Sequence, residues 1–331
     1  MSSSLFGIDT VDAALRRDLQ EGLDAVEVQL LASTRSDYPF VTETSRHLVN
    51  AGGKRFRPLL VLLAAQFGDP TASGVVPAAV VVELTHLATL YHDDVMDEAD
   101  VRRGAPSANS RWTNTIAILT GDFLFARASD ILADLGPEAV RIQAQTFERL
   151  CEGQIRETVG PESGVDPVAH YLRVVGDKTG SLIATSGRFG GMMAGADPQV
   201  TDLLTRFGEQ IGVAFQLSDD LIDVASESTE SGKTPGTDLR EGVRTLPVLL
   251  ALRPDSGIDP QLRDLLDGDL TDDGRLADVL ALLRPHPVMA EARKALEQWA
   301  DDARATLAPL PAGPARHALE SLCDYVVART G

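Results

Sequence analysis

The chain has little basic charge, few aromatic residues and almost no cysteine. Its 331 residues include 30 Lys and Arg against 49 Asp and Glu, which gives a formal net charge of -19, and only 5% are aromatic. A strongly acidic surface repels nucleic acid, so we expect no nucleic-acid partner. The two cysteines, Cys151 and Cys323, argue against a disulfide framework and favour reduced thiols and a cytoplasmic location.

Long hydrophobic runs are also missing. The most apolar runs, 59–65 and 75–82, are shorter than the roughly 20 residues that a membrane-spanning helix needs. The first residues, Met1 to Gly7, lack the basic and apolar regions of a signal peptide. The sequence therefore predicts no membrane anchor and, at most, a transient membrane association.

Strand-like alternation of any length is absent from the sequence, and helical periodicity dominates. The predicted helices lie near residues 10–32, 38–51, 58–67, 76–98, 111–134, 137–159, 167–194, 200–224, 239–253, 261–267, 273–284, 287–308 and 312–329. Longer breaks fall at 99–110, 225–237 and 254–260, and the polar, Gly- and Pro-containing second break is predicted to be a mobile lid. No change in composition divides the chain. We expect an all-α fold, a single-domain antiparallel helix bundle over residues 1–331.

Two acidic clusters share the pattern Asp-Asp-x-x-Asp. They run from Asp93 to Asp97 and from Asp219 to Asp223, and each ends an apolar stretch with helical periodicity. Residues four apart share one helix face, so the outer aspartates of each cluster project together. Carboxylates on apolar helices need cations, and Mg2+ takes oxygen ligands and brings substrate phosphates with it. One acidic cluster alone is usually solvated surface. Two matching clusters predict a Mg2+-diphosphate site between facing helices.

The helix of the first cluster carries a graded stripe. Val82, His86, Thr89, Asp93 and Asp97 follow one another at spacings of three or four residues. The stripe is apolar or small at its lower end and anionic at its upper end. Such a gradient is typical of a pocket wall with a metal-bound head group at one end and an apolar tail at the other.

Basic residues occur beside both clusters. Any one of them is more often a surface charge, but Arg and Lys are the natural ligands of phosphate. Together, in so acidic a chain, they indicate two anionic groups, one held through metal and one held directly. These positions are Lys54, Arg55, Arg57, Arg102, Arg103, Lys178 and Lys233.

The ordered motifs resemble those of trans-isoprenyl diphosphate synthases, and within that family the medium- and long-chain all-trans-polyprenyl diphosphate synthases. The resemblance covers most of the chain and keeps the order of the family. It implies an isoprenoid synthase type of bundle with a central active-site cavity, and a homodimer. The matching stretches are Gly52–Pro58, Glu83–Asp97, Arg102–Gly104, Gly121–Asp122, Lys178–Gly180, Phe215–Asp223, 232–238 and Thr245–Pro247.

The resemblance also implies roles for the matched residues. Three Mg2+ ions per active site would bind Asp93, Asp97 and Asp219, with Asp94, Asp220 and Asp223 supporting the ions or their waters. The allylic diphosphate would contact Arg102, Lys178 and Lys233. Isopentenyl diphosphate would contact Lys54, Arg57, His86 and Arg103. Thr179 and Gln216 would line the reacting region. One departure is Val243, where many relatives have a basic residue after Glu-Gly.

The reaction implied by the resemblance joins isopentenyl diphosphate, head to tail, to an allylic primer: geranyl, farnesyl or geranylgeranyl diphosphate. Metal and cationic side chains would stabilise the departing diphosphate, so no side-chain nucleophile is needed. No bulky aromatic residue stands just before the first cluster. We therefore expect a product longer than C20, a quinone side-chain precursor. Its tail would lie along Thr89, Ala88, Thr85 and Val82, with Leu132 or Phe147 as the pocket floor.

Three alternatives remain. A geranylgeranyl product fits the same motifs. A class I terpene cyclase shares the fold and the first motif, but cyclases generally carry Asn/Asp-x-x-Ser/Thr-x-x-x-Glu as the second. A non-catalytic subunit of a heteromeric synthase tends to lose motif aspartates or lysines. The chain keeps its second Asp-Asp-x-x-Asp cluster and the Lys54 and Arg57 site for a second diphosphate, which favours an active synthase.

Overall fold

The computed structural model describes residues 12–226 and 235–330. The first half contains α1 (Ala13–Ser33), α2 (Pro39–Asn50), α3 (Phe56–Ala65), α4 (Val75–Met96), α5 (Ala108–Arg111), α6 (Asn114–Leu135) and α7 (Pro137–Val159). Then follow α8 (Pro167–Val175), a π-helical turn (Gly176–Gly180), α9 (Ser181–Met193) and α10 (Pro198–Ala225). The remainder contains α11 (Thr237–Arg240), α12 (Leu246–Ala251), α13 (Pro260–Leu266), α14 (Asp273–Leu283), α15 (Pro287–Thr306) and α16 (Pro314–Ala328). The predicted all-α fold is confirmed.

The centre of the bundle is α4, which packs against α1, α3, α6 and α9. Its residues from Ala78 to Leu84 are almost fully buried, and so are Leu87, Ala88 and Tyr91. A second layer is formed by α10, which packs against α9 and α15. Burial of these apolar faces is the main source of stability. It also brings the carboxyl ends of α4 and α10, where the acidic clusters lie, to the same cavity.

Close helix crossings depend on two glycines of α9. A Cβ atom on Gly190 would lie 2.2 Å from the carbonyl oxygen of Val61 in α3. A Cβ atom on Gly187 would lie 2.4 Å from the carbonyl oxygen of Leu204 in α10. Backbone atoms cannot yield at such distances, so only glycine permits α9 to sit this near to both neighbours.

Two segments differ from the sequence-based expectation. The predicted helix 239–253 is divided into α11 and α12, because Gly242 adopts a positive φ of 77° and Pro247 starts a new helix. The predicted loop 99–110 contains a small hairpin, in which β1 (Val101–Arg102) pairs antiparallel with β2 (Ala105–Pro106). Of the predicted lid, residues 227–234 lie outside the described part.

Only α4, of the helices in the described ranges, is long and apolar enough to cross a membrane. Of the 18-residue window of α4 with the highest hydropathy, 67% is buried inside the protein. Central helices of ordinary cores pass the same test, so one such helix is weak evidence for a membrane span.

Candidate active site

One large cavity, of about 2610 Å³, opens among α4, α7, α8 and α10. Its wall includes Asp93 and Asp97 of the first acidic cluster and all three aspartates of the second. It also includes all the predicted phosphate-binding residues that the structure describes. These residues are Lys54, Arg57, His86, Arg102, Arg103 and Lys178. Thr179 and Gln216 line the same space. Lys233 lies outside the described residues.

The first cluster ends α4. Asp94 is completely buried and accepts a hydrogen bond from Nε of Arg102 at 2.5 Å, while its Oδ2 atom has no hydrogen-bond partner among residues 12–226 and 235–330. Asp97 lies 3.8 Å from the same guanidinium. Asp93 lines the cavity, and burial raises the pKa of its carboxyl to about 6, against the opposing influence of Lys178 and Arg102. Burial therefore disfavours the charged form of Asp93, and a cation bound at the cavity wall would favour it.

The second cluster ends α10. Asp219 accepts a hydrogen bond from Arg329 near the carboxyl end of the chain. Asp220 accepts hydrogen bonds from the hydroxyl of Tyr171 and from Nε2 of Gln216, the latter at 2.9 Å. Burial nevertheless raises the pKa of Asp220 to about 7.

Asp223 contacts the segment of chain that begins α11. Its carboxylate accepts hydrogen bonds from the backbone amides of Thr237 at 3.1 Å and Asp238 at 3.2 Å. Asp223 therefore also holds the start of α11 beside the cavity.

The donor chemistry fits a hard divalent cation. In residues 12–226 and 235–330, no group of three or more His, Cys, Asp or Glu side chains forms a closed set of ligands. Mg2+ does not require one, because it keeps several waters and binds through one or two carboxylates together with substrate phosphates. Asp93, Asp97 and Asp219 line the cavity and offer carboxylate oxygens to a cation held there, whereas Asp94 is buried outside the lining that the described residues form.

Three further basic side chains line the cavity and are called the cationic corner below: Lys54, Arg57 and Arg103. Burial and the neighbouring arginines hold the pKa of His86 well below its usual range, so its imidazole is neutral at pH 7. Burial lowers the pKa of Arg57 to about 10 and also lowers that of Arg103. The Nε atom of Arg57 is buried without an acceptor in the described part of the chain. Crowded, desolvated cations with an unused donor are suited to an anion.

The loop before α3 is held in place by a buried ion pair. Arg55 has a left-handed backbone (φ 52°), and its NH1 atom donates to Glu83 on α4 at 2.9 Å. Its Nε atom donates to Glu27 on α1. Arg103, with φ 53°, donates to the carbonyl oxygens of Leu48 and Gly52. These bonds fix the backbone from which Lys54 and Arg57 reach the cavity.

The π-helical turn carries Lys178 and Thr179. The ammonium of Lys178 donates to Glu157 on α7, and Thr179 Oγ1 donates to Gln216 Oε1 on α10 at 3.2 Å. The sequence predicted one helix over residues 167–194. The structure keeps the helical course and widens one turn.

The predicted chain-length residues divide into two groups. Thr89 and Phe147 line the cavity, and the ring of Phe147 packs on Phe125 with centroids 4.5 Å apart. The lining formed by the described residues does not include Val82, Thr85, Ala88 or Leu132. The expected lining is corrected at those four positions.

The physical reason is helix packing. Helix α4 packs closely against α6 and α9, and its residues from Ala78 to Leu84 are buried. Thr85 accepts a hydrogen bond from Gln143 on α7 at 2.8 Å. At Ala88, the carbonyl oxygen lies 3.1 Å from where a Cβ atom on Gly121 of α6 would stand. Leu132 is buried in the core.

Sequence reasoning missed several residues of the site. Tyr171 lies seven residues before Lys178 on one helix face, which was a usable signal. Arg329 contacts Asp219 from 110 positions away, and its guanidinium carbon lies 4.5 Å from the centre of the Phe215 ring. No local pattern signals such a contact. Glu83 belonged to a matched motif, but its partner Arg55 is 28 positions away.

Known proteins resemble the chain over nearly its whole length. The family model described as Polyprenyl synthetase matches residues 38–283. Nonaprenyl diphosphate synthase of Mycobacterium tuberculosis is 53% identical over 327 residues, 98% of this chain and 97% of that protein. The structure of geranylgeranyl pyrophosphate synthase from Corynebacterium glutamicum, complexed with calcium and isoprenyl diphosphate, matches with a TM-score of 0.86 at 46% identity, covering 97% and 98% of the two chains.

A third match is more distant in sequence and equally close in fold. Decaprenyl diphosphate synthase of Rhodobacter capsulatus has a TM-score of 0.86 at 36% identity, covering 96% of this chain and 99% of that one. Both the matched length and the identity exceed what a shared fold alone produces. The chain belongs to the polyprenyl synthetase family.

Proposed function

We propose that the chain is a Mg2+-dependent prenyltransferase. It condenses an allylic prenyl diphosphate with isopentenyl diphosphate, head to tail, to give an all-trans polyprenyl diphosphate. The observation that carries this proposal is that one cavity has two differently charged sites. The same cavity is lined by the aspartates of two clusters and by a group of basic side chains, among which Arg57 has a buried Nε atom without an acceptor in the described part of the chain. A two-substrate reaction between diphosphates needs both.

At the aspartate side, Asp93, Asp97 and Asp219 would hold Mg2+, three ions per site, with support from Asp94, Asp220 and Asp223. When bound, these ions would stabilise the diphosphate as it leaves the allylic carbon. Arg102, Lys178 and Lys233 would add positive charge to the same group. The calcium ion and isoprenyl diphosphate of the Corynebacterium structure support a divalent cation here.

At the cationic corner, Lys54, Arg57 and Arg103 would hold the diphosphate of isopentenyl diphosphate. His86 is neutral and would donate a hydrogen bond rather than charge. The C–O bond of the allylic substrate breaks, and the double bond of isopentenyl diphosphate forms the new C–C bond. The proton then leaves to the departing diphosphate. Thr179 and Gln216 line this region, and apolar walls exclude water from the cation.

We also propose a homodimer. Some exposed apolar side chains of α6 and α7 lie outside the cavity lining that the described residues form: Leu119, Val140 and Val159. Covering such a face requires a partner surface, and a second copy in the cytoplasm is the partner we propose. The product, longer than C20, would then be passed to a membrane without a permanent anchor.

The proposal is tested by the dependence on isopentenyl diphosphate. Purified protein is given Mg2+ and geranyl, farnesyl or geranylgeranyl diphosphate, with or without labelled isopentenyl diphosphate. We expect label to enter prenyl diphosphate with at least one primer, and chelation of Mg2+ to abolish incorporation. Consumption of the allylic substrate without isopentenyl diphosphate would instead indicate a cyclase. Incorporation that requires a second protein would indicate a subunit of a heteromeric synthase.

The product length is expected to depend on Phe147. Its ring lines the cavity, and Phe147→Ala opens space toward α7. We expect the main product to lengthen by at least one isoprene unit. The control is Gln145→Ala on the same helix, an exposed residue outside the cavity lining that the described residues form, which should leave the product unchanged. The product is sized by chromatography after dephosphorylation. An unchanged product from Phe147→Ala would remove this residue from the pocket floor.

A further inference from the structure

The π-helical turn Gly176–Gly180 is a rare element at a functional position. Such turns carry i→i+5 hydrogen bonds and are frequent at functional sites. Here the amide of Ser181 closes the wide turn on the carbonyl oxygen of Gly176, and Ser181 Oγ donates to the carbonyl oxygen of Asp177 at 2.6 Å. Lys178 and Thr179, both in this turn, line the cavity. Whatever holds the turn therefore holds two residues of the site.

Arg149 of α7 binds this turn from outside the cavity. Its Nε atom donates to Asp177 Oδ1 at 2.9 Å, and its NH2 atom lies 3.4 Å from the carbonyl oxygen of Gly176. The same NH2 atom donates to Glu209 on α10 at 2.6 Å. One guanidinium thus ties three parts of the bundle together. The cavity lining, within the described residues, does not include Arg149.

The backbone around the turn leaves little room for movement. A Cβ atom on Gly153 of α7 would lie 2.8 Å from the amide nitrogen of Lys178. On the other side, a Cβ atom on Gly212 of α10 would lie 2.9 Å from Cα of Gly180. The turn is therefore seated between α7 and α10, and a small shift between these helices would move Lys178.

We propose that Arg149 is a positioning residue of the reaction. It clamps Asp177 and Glu209, and so fixes the π-helical turn from which Lys178 and Thr179 face the allylic diphosphate. This inference rests on the proposed function, because it takes Lys178 as a ligand of that diphosphate. Arg149 itself touches neither substrate. The planar, forked guanidinium matters, because a lysine cannot keep both contacts in a fixed geometry.

The test uses Arg149→Met, Arg149→Lys and a matched control, Arg188→Met. The two arginine side chains are equally exposed, at 38% and 39%, and each pairs with a surface glutamate. Displacement of a substrate-binding group by about 1 Å can cost a hundredfold in rate. We expect kcat/KM for farnesyl diphosphate to fall roughly tenfold to a hundredfold in Arg149→Met. KM for isopentenyl diphosphate should stay within about twofold, and Arg149→Lys should recover only part of the loss.

A double-mutant cycle separates positioning from general destabilisation. Asp177→Asn should reproduce the loss seen in Arg149→Met, and the double variant should be no worse than the poorer single variant. Arg188→Met should match wild type in both KM values. The proposal is overturned if Arg149→Met leaves the kinetics for farnesyl diphosphate within about twofold. It is equally overturned if both KM values and the melting temperature change together.

A binding measurement keeps this test independent of turnover. Calorimetry with Mg2+ and inorganic diphosphate should show severalfold weaker binding in Arg149→Met than in wild type or Arg188→Met. If wild type elongates no primer, the proposed function fails, and this binding difference still decides the role of Arg149. Equal diphosphate affinity in all three proteins would contradict the clamp.

Discussion

Asp93→Ala and Asp219→Ala are each expected to lower turnover by at least about a thousandfold. Both carboxylates line the cavity, Asp93 from α4 and Asp219 from α10. Each substitution would remove a ligand of the metal that stabilises the departing diphosphate. The fold should survive. Burial of Asp93 already disfavours its charge, as its raised pKa of about 6 indicates, so its removal relieves an unfavourable interaction. Turnover is measured as label incorporation, and stability as the melting temperature.

The matched control for this prediction is Asp130→Ala. Asp130 lies on α6 with its side chain 73% exposed and pairs only loosely with Arg127, at 3.4 Å. The Asp130→Ala variant should keep a turnover within about twofold of wild type. Near-normal turnover in either Asp93→Ala or Asp219→Ala would mean that the aspartate clusters do not hold the catalytic metal.

Glu83→Ala is expected to give the largest loss of stability among the site residues. Glu83 is 2% exposed and pairs with Arg55, which is 9% exposed. Removing one partner of a buried ion pair leaves an uncompensated charge, which costs about 3 to 5 kcal/mol. We expect the lower end of that range, because Arg55 keeps its contact with Glu27. The free energy of unfolding is measured by urea denaturation.

The same substitution should also affect one substrate more than the other. Arg55 anchors the loop of Lys54 and Arg57, so KM for isopentenyl diphosphate should rise at least about tenfold. The control is Glu43→Ala, since Glu43 is 52% exposed and pairs with an exposed arginine at 2.8 Å. The Glu43→Ala substitution should lower the free energy of unfolding by less than about 1 kcal/mol. Equal stability of the Glu83→Ala and Glu43→Ala variants would show that the buried pair is not needed.

Local patterns in the sequence predicted most of the fold. Helices such as α4, α7 and α10 have apolar faces repeated at helical spacing, and their burial follows from that periodicity. The acidic clusters were found because their spacing of four places two carboxylates on one face. The hairpin at 101–106 was missed because two-residue strands are too short for alternation. Its turn residues, Arg103 and Gly104, both have positive φ, as a tight hairpin requires.

Contacts between distant segments could not be predicted in this way. The stripe from Asp93 down to Val82 was correct as a helix face, but the packing of other helices, α6 above all, against α4 decides where the cavity ends. Thr85 therefore bonds to Gln143 instead of lining a tail pocket. The pairing of Arg329 with Asp219 also depends on the whole bundle. Single-sequence periodicity carries no information on such pairings.

In the proposed function, the charged side chains of one cavity join two diphosphate substrates into a long chain. The most direct test is to size the dephosphorylated products formed from farnesyl diphosphate, labelled isopentenyl diphosphate and Mg2+. We expect a ladder that ends at one discrete prenol longer than C20. Products that stop at C20 would contradict the long product while leaving the enzyme class intact. No elongation from any allylic primer would contradict the proposed prenyltransferase function.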